Sequence, residues 1–106
     1  MGKKEWSYIL EKDYQMGLKK RIKDILPGSI VLKADPNDIQ GIPDLLVLYK
    51  GKWASLEVKK SENAKHRPNQ DYYVAVMDEM SFSRFIFPEN EEEVLHELQQ
   101  ALSSSR

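Results

Sequence analysis

Apolar residues recur at three- and four-residue spacing through the first quarter of the chain, at Tyr14, Leu18, Ile22 and Ile25. That spacing lays them on one helical face. It predicts a helix from about Trp6 to Leu26, stopped by Pro27-Gly28. The pattern then shortens. "SIVLK" (29–33) predicts a strand, and "ADPNDIQGIP" (34–43), with its two prolines, a loop. "DLLVLY" and "WASLEVKK" predict two strands around a hairpin turn at Lys50-Gly51-Lys52. "SENAKHR" is a polar loop, and Pro68 can open a helix that runs to about Met80. "SRFIF" (83–87) predicts a fourth strand. Asn90 with Glu93 three residues on is a capping-box variant. It opens a last helix with Val94, Leu95, Leu98, Ala101 and Leu102 on its apolar face. The order helix, three strands, helix, strand, helix predicts an α/β layer fold, with helices covering a small mixed sheet.

A chain of 106 residues fits one domain over 1–106 with one modest core. No apolar run approaches the roughly 20 residues that cross a bilayer, and "MGKKEWSYILEKDYQ" lacks the apolar stretch of a signal peptide. No membrane role is expected, and a cytoplasmic location is. The chain has no cysteine, which removes disulfides, thiol catalysis and cysteine-based zinc sites. The net charge of −1 conceals an asymmetry: residues 1–70 carry 14 Lys/Arg against 9 Asp/Glu, and residues 71–106 carry 2 against 8. A basic first two-thirds can meet an anionic partner, while the acids of "PENEEEVLHEL" suit a solvated helix face.

The chemistry lies at the ends of the hairpin. Residues two apart on a strand share a face, so Glu57 and Lys59 point one way while Leu56 and Val58 point the other. A two-residue turn at Lys50-Gly51 pairs Tyr49 with Lys52 and sets Asp44 opposite Glu57, where Cβ atoms stand about 4.5–5.5 Å apart. A three-residue turn with a regular ladder sets Asp44 opposite Val58 instead, on the wrong face. Two carboxylates this close need a shared proton or a cation between them. Oxygen ligands suit Mg²⁺ or Mn²⁺. Lys59 could position an attacking water or stabilise charge developing on a phosphate. The competing reading is a surface salt bridge between Lys59 and one acid. Glu11 extends the apolar stripe of the first helix, and Gln70 leads the stripe Tyr73, Met77, Met80 of the second. A polar residue on a buried face needs a partner. Each can be tolerance at the edge of a core; together with the hairpin acids they fit one polar site better.

These residues resemble the PD-(D/E)xK nuclease superfamily: Pro43-Asp44 looks like its PD element, and Glu57-Val58-Lys59 like its ExK element. "QGIPDLLVL", then "LEVK", then Gln70 are similar to the VRR-NUC branch, including its small stand-alone members. The resemblance runs from about Glu11 to Phe87. It implies a restriction-endonuclease-like αβββαβ core, here with a C-terminal helix added. It implies that Asp44, Glu57 and the Val58 carbonyl bind Mg²⁺ or Mn²⁺, with Glu11 contributing to metal or water binding. Lys59 would assist the attacking water, and Gln70 would hold the site. The implied reaction is hydrolysis of a DNA phosphodiester by a homodimer acting on branched DNA such as a four-way (Holliday) junction, in a bacterium or a phage-infected host.

Two features stand against a simple transfer. The chain is slightly acidic, whereas phosphate contacts supply much of nonspecific DNA affinity. Lys3, Lys4, Lys12, Lys19, Lys20, Arg21 and Lys23, and the loop group Lys65, His66 and Arg67, are the candidate basic surfaces. No separate DNA-binding module is evident, so an extended substrate would call for a second subunit or another protein. The alternatives are a catalytically silent nucleic-acid-binding or assembly module, and a nuclease active only with a partner such as a helicase or replication protein. His66 reads as a mobile loop residue, Tyr73 as core, and Trp53 as a cross-strand or dimer contact.

Overall fold

The computed structural model describes residues 3–104, and the side chains from Glu11 onward. Lys3, Lys4 and Trp6 therefore lie outside the described side chains. The elements follow in the order α1 (Lys3–Ile25), β1 (Ile30–Lys33), β2 (Leu45–Tyr49), β3 (Lys52–Val58), α2 (Pro68–Met80), β4 (Ser83–Ile86) and α3 (Glu91–Ser103). A single 3₁₀ turn, Pro88–Asn90, precedes α3. The protein is thus mixed α/β, as the hydrophobic pattern predicts. Among the described residues no helix is long and apolar enough to cross a membrane.

The strands form one sheet in the order β1-β2-β3-β4. β1 and β3 both run antiparallel to β2. β4 runs parallel to β3, with Glu57 beside Phe85 and Val58 beside Ile86. Parallel neighbours need a crossover, and α2 supplies it. Lys50 and Gly51 both have positive φ, 49° and 78°, which are the conformations of a type I′ turn. That turn closes the hairpin in two residues, with Tyr49 opposite Lys52 and Leu45 opposite Leu56.

The two faces of the sheet are covered differently. Val31, Leu45, Val47, Ala54, Leu56, Val58 and Ile86 belong to one buried cluster with Leu18, Ile22 and Leu26 from the α1 end and Val94, Leu95, Leu98 and Leu102 from α3. Arg21 of α1 joins α3 by ion pairs to Glu91 and Glu92. On the other face, α2 packs over β3 and β4. Ser55 touches Met77 Sδ at 3.8 Å and shares a 2.7 Å hydroxyl hydrogen bond with Ser83, and Ser81 donates to the Trp53 carbonyl. The β1–β2 side of this face is left open: Ile30, Leu32 and Leu48 are exposed at 59%, 38% and 36%.

The structure corrects several expectations. Asn90 is no side-chain cap for α3. Its Oδ1 accepts the Phe87 N–H at 2.9 Å and its Nδ2 donates to the Phe85 carbonyl at 3.0 Å, so it ties the 3₁₀ turn to the end of β4 instead. Met80 does not complete an inward stripe on α2; it is 69% exposed, at the helix's last residue. Arg21 does not join a free basic surface, because the acids of α3 engage it. By the same contacts the "EEE" run is partly a clamp onto α1 rather than a purely solvated face.

Candidate active site

The two-residue turn fixes the face on which Asp44 stands. Continuing the ladder one step past Leu45–Leu56 brings Asp44 opposite Glu57. Asp44 lies just beyond the end of β2, and its Oδ2 accepts the Val58 N–H at 2.9 Å. Its side chain thus takes the place that a strand carbonyl would otherwise fill. Strand geometry sends the N–H and C=O of one residue to the same side. The Val58 carbonyl therefore faces the Asp44 side as well, while the Lys59 N–H turns to the Ile86 carbonyl, 2.9 Å away. The loop before Asp44 is anchored by the Ala34 N–H, which donates to the Asp44 carbonyl at 2.9 Å.

Glu57 is buried, at 3% exposure. Burial, then repulsion from Asp44 and a hydrogen bond with Asp44, push its carboxyl up to about 9; Lys59 acts in the opposite direction. Without a cation, burial and the adjacent Asp44 thus favour the protonated form of Glu57. Gln70, in the first turn of α2, organises the remaining groups. Its Nε2 donates to Glu57 Oε2 at 3.2 Å, while its Oε1 accepts Lys59 Nζ at 2.6 Å and the Arg67 N–H at 3.0 Å. These bonds fix the orientation of the amide, since a flipped group would face donors with a donor. Lys59 Nζ donates in addition to the Lys65 carbonyl at 3.0 Å. Asp44, Glu57, Lys59 and Gln70 thus meet in one hydrogen-bonded group, and the Lys59 surface salt bridge gives way to a lysine held by an amide and a carbonyl.

Glu11 stands further off. Its charge contributes to raising Glu57, as the weakest of the causes. Among the described residues no group of three or more His, Asp or Glu side chains converges to hold a metal ion. The oxygen donors brought together are thus two carboxylates, with the Val58 carbonyl on the Asp44 side. That set fits Mg²⁺ or Mn²⁺, which bind by one or two carboxylates and keep several waters. The proton that Glu57 retains marks the place where a cation can take over the neutralisation.

Comparison with protein-family models, curated proteins and solved structures finds no match for this chain. The site is therefore read from its own geometry. A cavity of about 690 Å³ opens directly on Asp44, Glu57 and Gln70, walled by the 36–42 loop and the start of α2. Gly41 is the point where these walls meet. Its φ is +89°, and a Cβ placed there would collide with Asn69. Asn69 Nδ2 reaches the Gln40 carbonyl at 3.4 Å across the same seam.

The basic loop makes specific contacts through His66. His66 is an exposed loop residue, as expected, and it has partners: its ring stacks on Phe85 with centroids 4.0 Å apart, and its Nδ1 lies 2.9 Å from Asp71 Oδ1. Trp53 and Tyr73 are half-buried, and Tyr73 meets Tyr72 edge-on at 5.0 Å. The sequence reading missed Asn37, Gln40 and Asn69 as cavity walls. The proximity of Gly41 to Pro43-Asp44 was the one local sign that the loop packs closely on something.

Proposed function

We propose that this protein is a divalent-metal-dependent DNA endonuclease with the restriction-endonuclease-like core of the PD-(D/E)xK superfamily, VRR-NUC branch. The observation that carries this reading is the convergence of Asp44, Glu57, Lys59 and Gln70, from three separate stretches of chain, at one end of a mixed sheet. The runs that resemble the family motif are the ones that the fold brings together. A structural role alone gives no reason to bury Glu57 beside a second, half-buried acid, Asp44.

Bound by the two carboxylates, Mg²⁺ or Mn²⁺ would supply positive charge for the phosphate and lower the pKa of water. The chain's own residues do the rest. The Val58 N–H fixes one Asp44 oxygen, and the other would be free to hold the ion. Glu57 would hold the ion as a carboxylate, with the Gln70 amide keeping its Oε2 in place. Lys59, steadied by Gln70, presents an ammonium group to an attacking water or to the phosphate oxygens as charge develops. Glu11 adds negative charge at longer range, suited to orienting water or cations.

The substrate class within this reading is branched DNA, and the active unit is a homodimer. Each chain carries one such acid pair, so paired cuts in two strands take two chains. The open apolar face of Ile30, Leu32 and Leu48 supports a second copy there, because Leu48 lies on the same face of β2 as Asp44. The protein would act in the cytoplasm of a bacterium or a phage-infected host.

The test is cleavage of four-way junction, nicked, linear and single-stranded DNA by wild type and Glu57→Gln, with Mg²⁺, Mn²⁺ or EDTA. Metal-dependent cutting that vanishes in Glu57→Gln is the expected result. A well-folded wild type that cuts none of these substrates would overturn it in favour of a silent binding module or a nuclease that requires a partner protein.

A further inference from the structure

The cavity beside the acid pair is larger than a metal ion and its waters require. Its volume, about 690 Å³, is in the range of small-molecule sites, and it is a half-open cleft rather than an enclosed chamber. Beside the two acids at its inner end, Asp44 and Glu57, its lining combines three further kinds of surface. Pro36 and Ile42 supply apolar area, Asn37, Gln40 and Asn69 supply side-chain amides, and Arg67 supplies the one positive charge. A path for duplex backbone would call for repeated cations, since phosphates dominate that contact. Small apolar side chains, amide groups and one guanidinium match a single nucleotide instead: contact for a base, partners for its polar edges and a cation for one phosphate.

The walls are already built. Asp35 Oδ1 accepts the Asn37 N–H at 2.8 Å, and the Asp38 N–H reaches the Asp35 carbonyl at 3.1 Å, so the loop is folded on itself. The Gly41–Asn69 contact locks that loop against α2. A ligand entering the cavity would find its shape in place, with little ordering cost on binding.

Resting on the nuclease reading, we infer that this cavity receives one unstacked nucleotide adjacent to the bond that is cut, so that the protein selects DNA in which a nucleotide is already unpaired. Extracting a base from continuous duplex costs a few kcal/mol, and a bulge or junction has met that cost beforehand. Each 1.4 kcal/mol is a factor of ten, so the preference for an unpaired nucleotide should be about tenfold or more.

The experiment measures binding of the full chain to two duplexes that are identical except for one extra 2-aminopurine nucleotide in one strand. Ca²⁺ replaces Mg²⁺, and the fluorescence of the probe base is followed. Wild type should bind the bulged duplex at least about tenfold more tightly than the paired one, with a change in probe fluorescence. Gln40→Trp, which fills the cavity, should erase the difference between the two duplexes. The double variant Asn37→Ala/Gln40→Ala, which removes amides without adding bulk, carries the test if the tryptophan variant misfolds. Equal wild-type affinity for the two duplexes, or a preference that survives in a folded cavity variant, would overturn the inference. Cleavage in Mg²⁺ separates the two readings. Metal-dependent cutting without a bulge preference keeps the nuclease and removes the nucleotide pocket. Cavity-dependent bulge binding with no cutting under any metal does the reverse.

Discussion

Leu56 and Glu57 are neighbours in the chain and opposites in role. Leu56 faces the apolar core shared by α1 and α3, with Arg84 beside it on β4. Glu57 faces α2, beside Asp44 and Gln70, with Ser55 buried on the same side. One face of the sheet carries the apolar core, with Arg84 at its β4 edge. The other holds a buried hydroxyl pair, a buried acid and an exposed apolar margin. The sheet thus concentrates hydrophobic stabilisation on one side and leaves the other free to carry groups that a well-packed core would reject. The alternation of strand side chains lets one seven-residue strand, β3, serve both.

The sharpest way to test that division is to substitute across it. Glu57→Gln, like Asp44→Asn, should lower metal-dependent cleavage by a factor of ~10³ or more while circular dichroism and cooperative unfolding persist. Retained cleavage in both would remove the catalytic assignment of this face. Leu56→Ala, one position away, should reduce unfolding free energy by about 2–5 kcal/mol in denaturant titration. A value near zero would mean that the core side is less tightly packed than its burial indicates. Gly41→Ala combines strain at positive φ with a clash against Asn69 and should cost about 1–3 kcal/mol. Its larger consequence should be a changed cavity, read by crystallography or by altered cleavage of the bulged substrate.

The acid pair also gives the metal-free protein a distinctive pH response. Glu57 is raised in the folded state from 4.5 to about 9, so between these values the folded chain holds a proton that the unfolded chain has released. Stability should therefore fall as pH rises through that window, by at most about 1.4 kcal/mol per unit. Glu57→Gln should flatten the slope and be the more stable protein at its alkaline end. Added Mg²⁺ should offset part of the loss in wild type but not in the variant. Thermal melts from pH 5 to 9 in EDTA and in Mg²⁺ would show this, and identical slopes in the two proteins would contradict the shared proton. The smallest effect belongs to the exposed margin: Leu48→Ala should change monomer stability by no more than about 0.5 kcal/mol. The same substitution should weaken self-association if a second copy covers that face, which sedimentation at several concentrations would detect.

Much of this division was legible in the sequence because alternation is a local property. "SLEVK" alone assigns Leu56 and Val58 to one face and Glu57 and Lys59 to the other. The pairing of Asp44 with Glu57 was conditional on turn length, which Lys50-Gly51 left open until both residues were seen at positive φ. Gln70 was recognisable as a polar residue leading an apolar stripe, and its bonds to Glu57 and Lys59 give it a place. What stayed hidden depends on contacts between distant segments. The pairing of Arg21 with Glu91 and Glu92, the stacking of His66 on Phe85, and the Asn37 and Gln40 walls have no periodic signature. Asn90 illustrates a further limit: its spacing to Glu93 matches a cap, but a proline-led 3₁₀ turn offered its side chain nearer partners.

The Lys50-Gly51 turn works like a reading frame for the hairpin. A substitution there alters one residue, but a single-residue insertion shifts the phase of everything paired beyond it. The frameshifted hairpin would keep its composition and its length of sheet, yet Asp44 would come opposite Val58 unless a bulge restored the phase. Such a bulge would have to form somewhere along Leu45–Tyr49 or Lys52–Val58, in strands already paired residue for residue. The most exposed part of the hairpin is therefore a poor place for a tag, a linker or a circular permutation, although nothing at that tip touches the acid pair.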